Sequence, residues 1–246
     1  MFPEPHSSPH PRKAALVTGG AKRVGRELAL ALASSGMDVA ITVRESLGEA
    51  AATAREIEGF GVRTMVVEMD VRDEMSVRQG IAATASAFGG LDVLVNNAAV
   101  FESAPLGEIT LERWDAVFAT NTRGPFLTAR EALPLLRARR GRIVNLGSLG
   151  GSHAWATHAH YCASKAALHM LTQSMAKAFA PEVSVNCVAP GFIEFDEGKE
   201  ARHFAAKTPM GRNGSPADVA AAVVFFATGT HFITGQILTV DGGLGL

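Results

Sequence analysis

Short apolar runs alternate with longer amphipathic stretches along most of the chain. The apolar runs predict seven buried strands, at residues 14–18, 37–43, 62–68, 91–95, 142–146, 183–188 and 236–240. Patterns with helical periodicity lie between them, at residues 26–35, 47–58, 73–88, 111–139, 163–179 and 215–227. Regular alternation of strand and helix predicts an α/β fold of the Rossmann type, with a doubly wound, seven-stranded parallel sheet and helices on both faces. A ligand is then expected at the carboxyl ends of the strands.

The pattern changes at three places in the chain. Residues 1–12 are rich in Pro, His and Ser and lack the apolar core of a signal peptide, so we expect a flexible arm ahead of a single domain at 13–246. The helical region 111–139 contains Pro125 and Pro134 and is expected to bend. Residues 192–210 have weak periodicity and mixed charge, which predicts a substrate loop with a short helix.

Composition removes several classes of partner. Net charge is −1 without a basic block, which argues against nucleic acid or an anionic membrane surface. The apolar stretch 219–227 is too short to span a bilayer. Cys162 and Cys187 have no metal or redox spacing, which suits a reduced, cytoplasmic setting. One loop contains three histidines, His153, His158 and His160. Their close spacing is weak evidence for a metal site, and side chains that line the substrate loop or are exposed to solvent are the favoured interpretation, so no metal is expected.

The turn after the first strand reads Thr18-Gly-Gly-Ala-Lys-Arg-Val-Gly25 and leads into a helix. This order places backbone N–H groups and a helix N-terminus where a pyrophosphate can bind. An ordinary strand-to-helix turn has the same local pattern, but the position after the first strand favours nucleotide binding. The second strand ends at Arg44, and with Lys22 and Arg23 this arginine favours the 2′-phosphate of NADP(H) over NAD, although Glu45 follows directly.

Tyr161 and Lys165 are four residues apart, which places them one turn apart on one helix face. A nearby cation favours phenolate and lowers the pKa of a tyrosine, which would allow proton transfer nearer neutral pH. Ser148, at the end of the fifth strand, offers a hydroxyl to the same substrate oxygen. The spacing alone is a weak signal, because any amphipathic helix can contain it.

From residue 13 onward the chain resembles the short-chain dehydrogenase/reductase family in its compact one-domain form. The resemblance rests on many motifs at the expected spacing: Thr18-Gly19-x5-Gly25, Asp70, Asn96-Asn97-Ala98, Asn121, Ser148, Tyr161, Lys165, Pro190-Gly191 and Val240-Asp241-Gly242-Gly243. It implies hydride transfer from NADPH to a C=O or C=N bond, with Tyr161 as general acid or base. Members of the family usually form homotetramers, which is the expectation for this chain.

Residue roles follow from the same resemblance. Lys165 would lower the pKa of Tyr161 and hold the nicotinamide ribose, Ser148 would orient the substrate oxygen, and Asn121 would hold a water of the proton relay. The expected cofactor-binding residues are Thr18, Gly19, Lys22, Arg23, Val24, Gly25, Arg44, Asp70, Val71, Asn97, Ala98, Ala99, Tyr161, Lys165, Pro190, Gly191 and Ile193. The residues expected to contact the substrate are Ser148, Tyr161, Phe101, Trp155 and Phe192.

Arg23 replaces the middle glycine of the family's turn, and Ala99 stands where glycine is common. Both features, with Phe101, are similar to the pteridine reductase and dihydromonapterin reductase branch, where an aromatic residue stacks on the pterin. Ser148 differs from the aspartate of the protozoan pteridine reductases. A pteridine-type substrate is therefore the first hypothesis. The alternatives are a 3-oxoacyl-thioester or general carbonyl reductase and, in another class, a non-catalytic NADP(H)-binding sensor.

Overall fold

The computed structural model describes residues 12–195 and 199–246, so residues 1–11 of the arm predicted at 1–12 lie outside the described residues. All seven expected strands form, and they pair in parallel in the order β3-β2-β1-β4-β5-β6-β7. Their bounds are β1 Ala14–Val17, β2 Asp38–Val43, β3 Thr64–Glu68, β4 Val93–Asn96, β5 Arg142–Leu146, β6 Ser184–Pro190 and β7 Ile237–Val240. The predicted doubly wound sheet is confirmed.

Helices cover both faces of this sheet. They are α1 Arg23–Ser34, α2 Leu47–Glu58, α3 Glu74–Phe88, α4 Leu111–Phe118, α5 Gly124–Arg139, α6 Ala159–Phe179, α7 Lys199–Lys207 and α8 Pro216–Thr228. Two helices begin earlier than their apolar periodicity predicts. The helix α1 begins at Arg23 rather than at residue 26, and α6 begins at Ala159 rather than at residue 163, so Tyr161 lies inside the first turn of α6.

The strands at the centre of the sheet are buried on both faces. All residues of β1, β2 and β4 are buried, because helices pack against both sides. Leu28 and Leu32 of α1 join the core on one side of the sheet, and Leu136 of α5 joins the core on the other side. Burial of each such leucine stabilises the fold by about 1.5–3 kcal/mol. The strand order reverses between β1 and β4, and the crevice at this switch point is where a ligand of such a sheet binds.

The helical region 111–139 is interrupted at a different place from the one that its prolines predict. A π-helical turn, Ala119–Arg123, separates α4 from α5. Pro125 lies in the first turn of α5, where its missing N–H is tolerated, and Pro134 lies inside α5. The wide turn contains Asn121, whose side chain is fully buried. Such π turns are frequent at functional sites.

A buried row of polar side chains joins the centre of the sheet to two helices. Asn96 of β4 donates to Asn145 of β5 at 2.9 Å, and Asn145 donates to Thr172 of α6 at 2.9 Å. Thr128 of α5 donates to Asn96 at 2.6 Å. Because buried polar groups are costly unless paired, this row favours one register of α5 and α6 on the sheet. It thereby fixes the height at which α6 presents its first turns to the crevice.

Candidate active site

The glycine turn at residues 18–25 is closed by direct contacts with the end of β4. The Thr18 hydroxyl accepts from the main-chain N–H groups of Asn97 and Ala98, at 2.9 and 3.0 Å. The Asn97 amide donates to the carbonyls of Thr18 and Gly19, at 2.9 and 3.0 Å. A Cβ on Gly25 would overlap the Gly19 carbonyl oxygen and lie 2.6 Å from Asn97 Nδ2. The backbone is therefore packed as closely here as dinucleotide binding requires.

Arg23 adopts a left-handed backbone conformation, with φ of 51°. This conformation explains why glycine is usual at the position, since a side chain there costs about 1–2 kcal/mol. The guanidinium of Arg23 lies 5.5 Å from the ring centroid of Phe195, a cation–π contact across the crevice. Phe195 was absent from the predicted site, and no sequence pattern connects it with Arg23.

Charged side chains surround the end of β2, where the adenosine ribose was expected. Arg44 donates to Glu45 at 2.7 Å, and Lys22 lies 3.3 Å from Glu49. Both pairs are exposed, so they contribute little to stability and leave the cations open to a ligand. Asp70 accepts two hydrogen bonds from the Arg72 side chain, at 2.9 and 2.6 Å, and this pairing lowers the pKa of Asp70.

Ser148 and Tyr161 meet at the carboxyl end of β5. Both side chains are buried, and Ser148 Oγ accepts from the Gly150 N–H at 3.1 Å. Burial raises the pKa of Tyr161, and a hydrogen bond with Ser148 opposes this by favouring the phenolate. Burial is thus the largest effect on the pKa of Tyr161 in this structure, and the lowering of that pKa by Lys165 stays a prediction. A phenol that keeps its proton at neutral pH suits proton donation.

Lys165 lies one turn beyond Tyr161, with its ammonium 5.8 Å from the tyrosine ring centroid. The side chain is 3% exposed, and Nζ donates to the Leu146 carbonyl at 2.7 Å. Because this is one hydrogen bond for a group with three donors, burial dominates and lowers the pKa of Lys165 to about 8. The spacing of the two residues predicted the shared helix face, but the depth of burial required the packed structure.

Replacement of Lys165 by methionine is expected to stabilise the fold at pH 7. Below pH 8 the lysine is charged in both the folded and the unfolded chain. Only the folded chain buries this charge, so the burial lowers the free energy of unfolding. Each pKa unit corresponds to about 1.4 kcal/mol, so the shift from 10.5 to about 8 gives a gain of about 3–4 kcal/mol in Lys165→Met. Wild-type stability rises from pH 8 towards 10.5, so the gain should shrink over that window.

Urea unfolding of both proteins between pH 7 and pH 10.5 measures this difference. Lys177→Met, on the same helix and without a resolved partner in the described residues, is the control and should leave stability within about 0.5 kcal/mol of wild type. An equal or lower unfolding free energy for Lys165→Met at pH 7 would contradict the cost that we assign to the buried charge.

Asn121 joins three parts of the site through its side chain. Its Oδ1 accepts from the Val100 N–H at 2.8 Å, while Nδ2 donates to the Val100 carbonyl and to Ser164 Oγ, at 2.9 and 3.0 Å. The π turn is thus tied to the loop after β4 and to α6. The side chain of Asn121 is fully buried, although an asparagine inside a helical pattern is often exposed. Its role in a proton relay stays a prediction.

Aromatic rings surround Tyr161 on its open side. The Phe101 ring meets the Tyr161 ring edge-on, with centroids 4.8 Å apart, and stacks on His158 at 4.8 Å. Trp155 lies nearly parallel to the Tyr161 ring at 6.1 Å. Phe101 nevertheless remains 64% exposed, so an apolar ring face beside the Tyr161 hydroxyl is open to solvent. Phe101 and Trp155 were expected at the substrate site, whereas His158 was considered only as a loop residue.

The remaining predicted residues follow the strand ends. Val71 is buried and contacts Gly124, and Ala99 is exposed beside Ala98. Gly191 follows Pro190, the last residue of β6, and its N–H donates to the Val240 carbonyl of β7. Ile193 forms an isolated parallel β-bridge with Gly214. Phe192 stacks on Phe204 of α7 at 4.4 Å, so it packs within the segment predicted as a substrate loop. Val24, in the first turn of α1, is partly buried and packs against the core. Their contacts with cofactor or substrate stay predictions.

The histidines before Tyr161 have separate surroundings. His153 contacts the Gly245 carbonyl at 3.0 Å, His158 stacks on Phe101, and His160 is fully buried. Among residues 12–195 and 199–246 there is no group of three or more acidic, His or Cys side chains able to hold a metal. In the same part of the chain, each helix is too short or too polar to cross a membrane.

Three features lie together at this end of the molecule: the parallel sheet, the glycine turn at its first strand and the buried set of Ser148, Tyr161 and Lys165. This combination is typical of a dinucleotide-dependent oxidoreductase site. Comparison with known proteins agrees. The profile of a family described as Enoyl-(Acyl carrier protein) reductase matches residues 19–245. A 3-oxoacyl-[acyl-carrier-protein] reductase of Staphylococcus aureus is 38% identical over 242 residues, covering 94% of this chain and 98% of that protein. The chain belongs to the short-chain dehydrogenase/reductase family and is an oxidoreductase of this type.

Solved structures show the same fold. A dehydrogenase/reductase from Sinorhizobium meliloti superposes with a TM-score of 0.91 at 38% identity and covers 95% of both chains. A short-chain dehydrogenase from Burkholderia cenocepacia, solved in complex with NADP, gives a TM-score of 0.90 at 38% identity and covers 95% of this chain and 98% of that one.

Proposed function

We propose that this protein is an NADPH-dependent reductase that delivers a hydride to the carbonyl carbon of a small substrate, with Tyr161 as the proton donor. The observation that carries the proposal is the burial of Ser148, Tyr161 and Lys165 together at the end of β5 and the start of α6. NADPH supplies the hydride when it is bound. The aligned Ser148 and Tyr161 hydroxyls bind the substrate oxygen, and the raised pKa of Tyr161 keeps the phenolic proton available to that oxygen.

The glycine turn and its cations fit a phosphorylated dinucleotide. A Cβ on Gly25 would fill the space in which Gly19 and Asn97 approach each other, so the turn can bring its backbone close to a pyrophosphate at the start of α1. Arg44 stands at the end of β2 with its side chain half exposed. An arginine there favours a 2′-phosphate over a free hydroxyl. The Burkholderia cenocepacia relative was solved with NADP, which supports the same cofactor here.

Replacement of Arg44 by alanine is expected to raise the KM for NADPH about tenfold and to leave the KM for NADH nearly unchanged. The reason is loss of a charge-assisted contact with the 2′-phosphate, which NADH lacks. Steady-state kinetics with each cofactor measure the effect, and Arg55→Ala, an exposed arginine of α2, is the matched control. Equal effects on both cofactors would contradict the role of Arg44.

For the substrate, we favour a 3-oxoacyl thioester. Support comes from the Staphylococcus aureus reductase, which is similar over nearly the whole of both chains. Ser148 also suits a ketone oxygen, because its hydroxyl can donate to that oxygen while Oγ accepts from Gly150. The exposed Phe101 ring gives the acyl chain an apolar surface beside Tyr161.

A pteridine-type substrate is the second candidate, and the aromatic rings favour it. The open face of Phe101, perpendicular to Tyr161, suits stacking of a flat ring. Arg23 supports the same hypothesis, because it lies on the crevice side of the glycine turn, as its contact with Phe195 shows. Similarity to 3-oxoacyl reductases places this candidate second but does not exclude it.

Oxidation of NADPH by the purified protein separates the two candidates. Acetoacetyl thioester and a 7,8-dihydropterin serve as substrates in parallel. We expect turnover of the thioester, with a loss of about tenfold in Phe101→Ala, since the acyl chain loses an apolar surface there but needs no stacked ring. Turnover of the pterin alone, lost in Phe101→Ala and Arg23→Ala, would establish the pteridine candidate instead. NADPH binding without turnover of either would leave the substrate class open and reject both.

Exposed apolar side chains and free thiols bear on the assembly and the compartment of the protein. Large apolar side chains are exposed on α5 and α8, such as Phe126 and Phe225, and on β7, such as Leu238. Covering them in a homotetramer would remove apolar surface from water. Light scattering of the full chain tests this assembly.

Both cysteines are free thiols, which fits the reducing cytoplasm where NADPH is available.

A further inference from the structure

His160 is the most completely buried titratable side chain beside the catalytic tyrosine. Its ring has no exposed surface, and neither ring nitrogen makes a hydrogen bond within the described part of the chain. Nε2 lies 3.5 Å from Glu102 Oε2, a carboxylate on the loop after β4. A buried imidazole is costly unless its polar atoms have a partner, so this contact with Glu102 is the reason that His160 can be placed there.

Glu102 is held in position from its other side. Its Oε1 accepts from Arg113 Nε of α4 at 2.5 Å, and the same arginine donates to the Ser103 carbonyl at 3.4 Å. These contacts with Arg113 and, to a smaller extent, with His160 lower the pKa of Glu102, so the carboxylate is charged at neutral pH. We call Arg113, Glu102 and His160 the Glu102 bridge, because the carboxylate links α4 to the first turn of α6.

The bridge lies directly beside the aromatic rings of the active site. Phe101 precedes Glu102 in the chain and contacts both His158 and Tyr161 at 4.8 Å. Two residues after Glu102, the Ala104 N–H donates to the Thr157 carbonyl at 2.8 Å. Segment 101–104 is therefore joined to segment 157–161 by a ring stack, a charge contact and a main-chain hydrogen bond.

We infer that His160 is a positioning residue, which acts through Glu102 to hold Phe101 against Tyr161 and so sets the width of the substrate cleft. His160 touches neither substrate nor cofactor in this role. It fixes the loop that presents Phe101, whose exposed face is the apolar surface offered to a substrate. The inference rests on the proposed reductase function for its kinetic consequence, but the link between the two segments is independent of any substrate.

The kinetic test compares His160→Leu with His160→Gln. Leucine removes the partner of Glu102 and is expected to raise the KM for the carbonyl substrate about tenfold, with kcat changed less than about twofold. Glutamine keeps an N–H donor at a similar reach and should restore a KM within about threefold of wild type. Met175→Ala, a buried residue further along α6, is the control for lost stability and should leave the KM unchanged.

A double-mutant cycle distinguishes positioning from general loosening of the helix. If His160 acts through Phe101, His160→Leu should change the KM less than about twofold in a Phe101→Ala background. An equal increase of the KM in both backgrounds would overturn the inference, as would a fall in kcat without a change in KM.

Hydrogen exchange gives a result that needs no substrate. Exchange of the Ala104 amide, which donates to Thr157, is expected to become at least about tenfold faster in His160→Leu and to stay at the wild-type rate in His160→Gln and Met175→Ala. Unchanged exchange in His160→Leu overturns the inference even if the reductase activity is confirmed. Accelerated exchange in a protein without activity towards any carbonyl would retain the link and reject the proposed function instead.

Discussion

Replacement of Tyr161 by phenylalanine is expected to reduce carbonyl turnover about a thousandfold, because general-acid catalysis by a positioned side chain contributes about 10²–10⁴ in rate. The substitution keeps the ring that Phe101 and Trp155 contact and removes only the hydroxyl that bonds to Ser148. NADPH binding, measured by fluorescence titration, should be retained within about threefold, since Lys165 and the glycine turn are unchanged. A variant that kept a tenth of the activity would contradict Tyr161 as proton donor, whereas a variant that kept the full cellular function would revive the non-catalytic sensor as the alternative.

Tyr161 can also be observed directly, because it is the only tyrosine of the chain. Phenolate absorbance during an alkaline titration therefore reports this group alone. Burial raises the pKa of Tyr161, so its absorbance change should occur above the pH at which a free tyrosine titrates. Ser148→Ala removes the hydrogen bond that opposes this shift and should move the titration to still higher pH. If Tyr161 of the wild-type protein titrated at a lower pH than a free tyrosine, burial would not be the larger of the two effects on its pKa, and our assignment would be contradicted.

Replacement of Gly25 by alanine is expected to abolish cofactor binding and to destabilise the fold by about 3 kcal/mol or more. The added Cβ would overlap the Gly19 carbonyl oxygen and press on Asn97 Nδ2, both of which close the turn on the end of β4. Neither the Gly19 carbonyl nor the Asn97 amide can move away without breaking a hydrogen bond between them. Thermal unfolding and NADPH titration measure the two effects.

Gly48→Ala is the matched control for this substitution. Gly48 lies in the first turn of α2, where a Cβ would meet no atom within 4 Å. Alanine there should leave NADPH binding unchanged and raise stability by up to about 0.5–1 kcal/mol, since glycine is the poorer helix former. If Gly25→Ala behaved like Gly48→Ala, the close packing of the turn would not be what restricts the position to glycine.

Much of the fold could be predicted because it depends on local patterns. Each buried strand is a short apolar run, and each strand-to-helix alternation has a right-handed crossover as its favoured connection. The bounds of α2, for example, match the prediction, since Ser46 precedes it and Gly59 follows it. Prolines predicted that region 111–139 is bent, but they did not predict the π turn between α4 and α5, because a π turn around Asn121 depends on contacts with Val100 and Ser164.

The candidate site divides in the same way. By itself the sequence determined the glycine turn, the pairing of Tyr161 with Lys165 on one helix face and the nearby Ser148, since these follow from spacing and from the ends of strands. Only the tertiary structure decided the pKa direction of Tyr161, the packing of Phe101 on its ring and the contact of His160 with Glu102. Burial and pairing between distant segments arise only when helices pack against the sheet, so the spacing of residues along the chain does not reveal them.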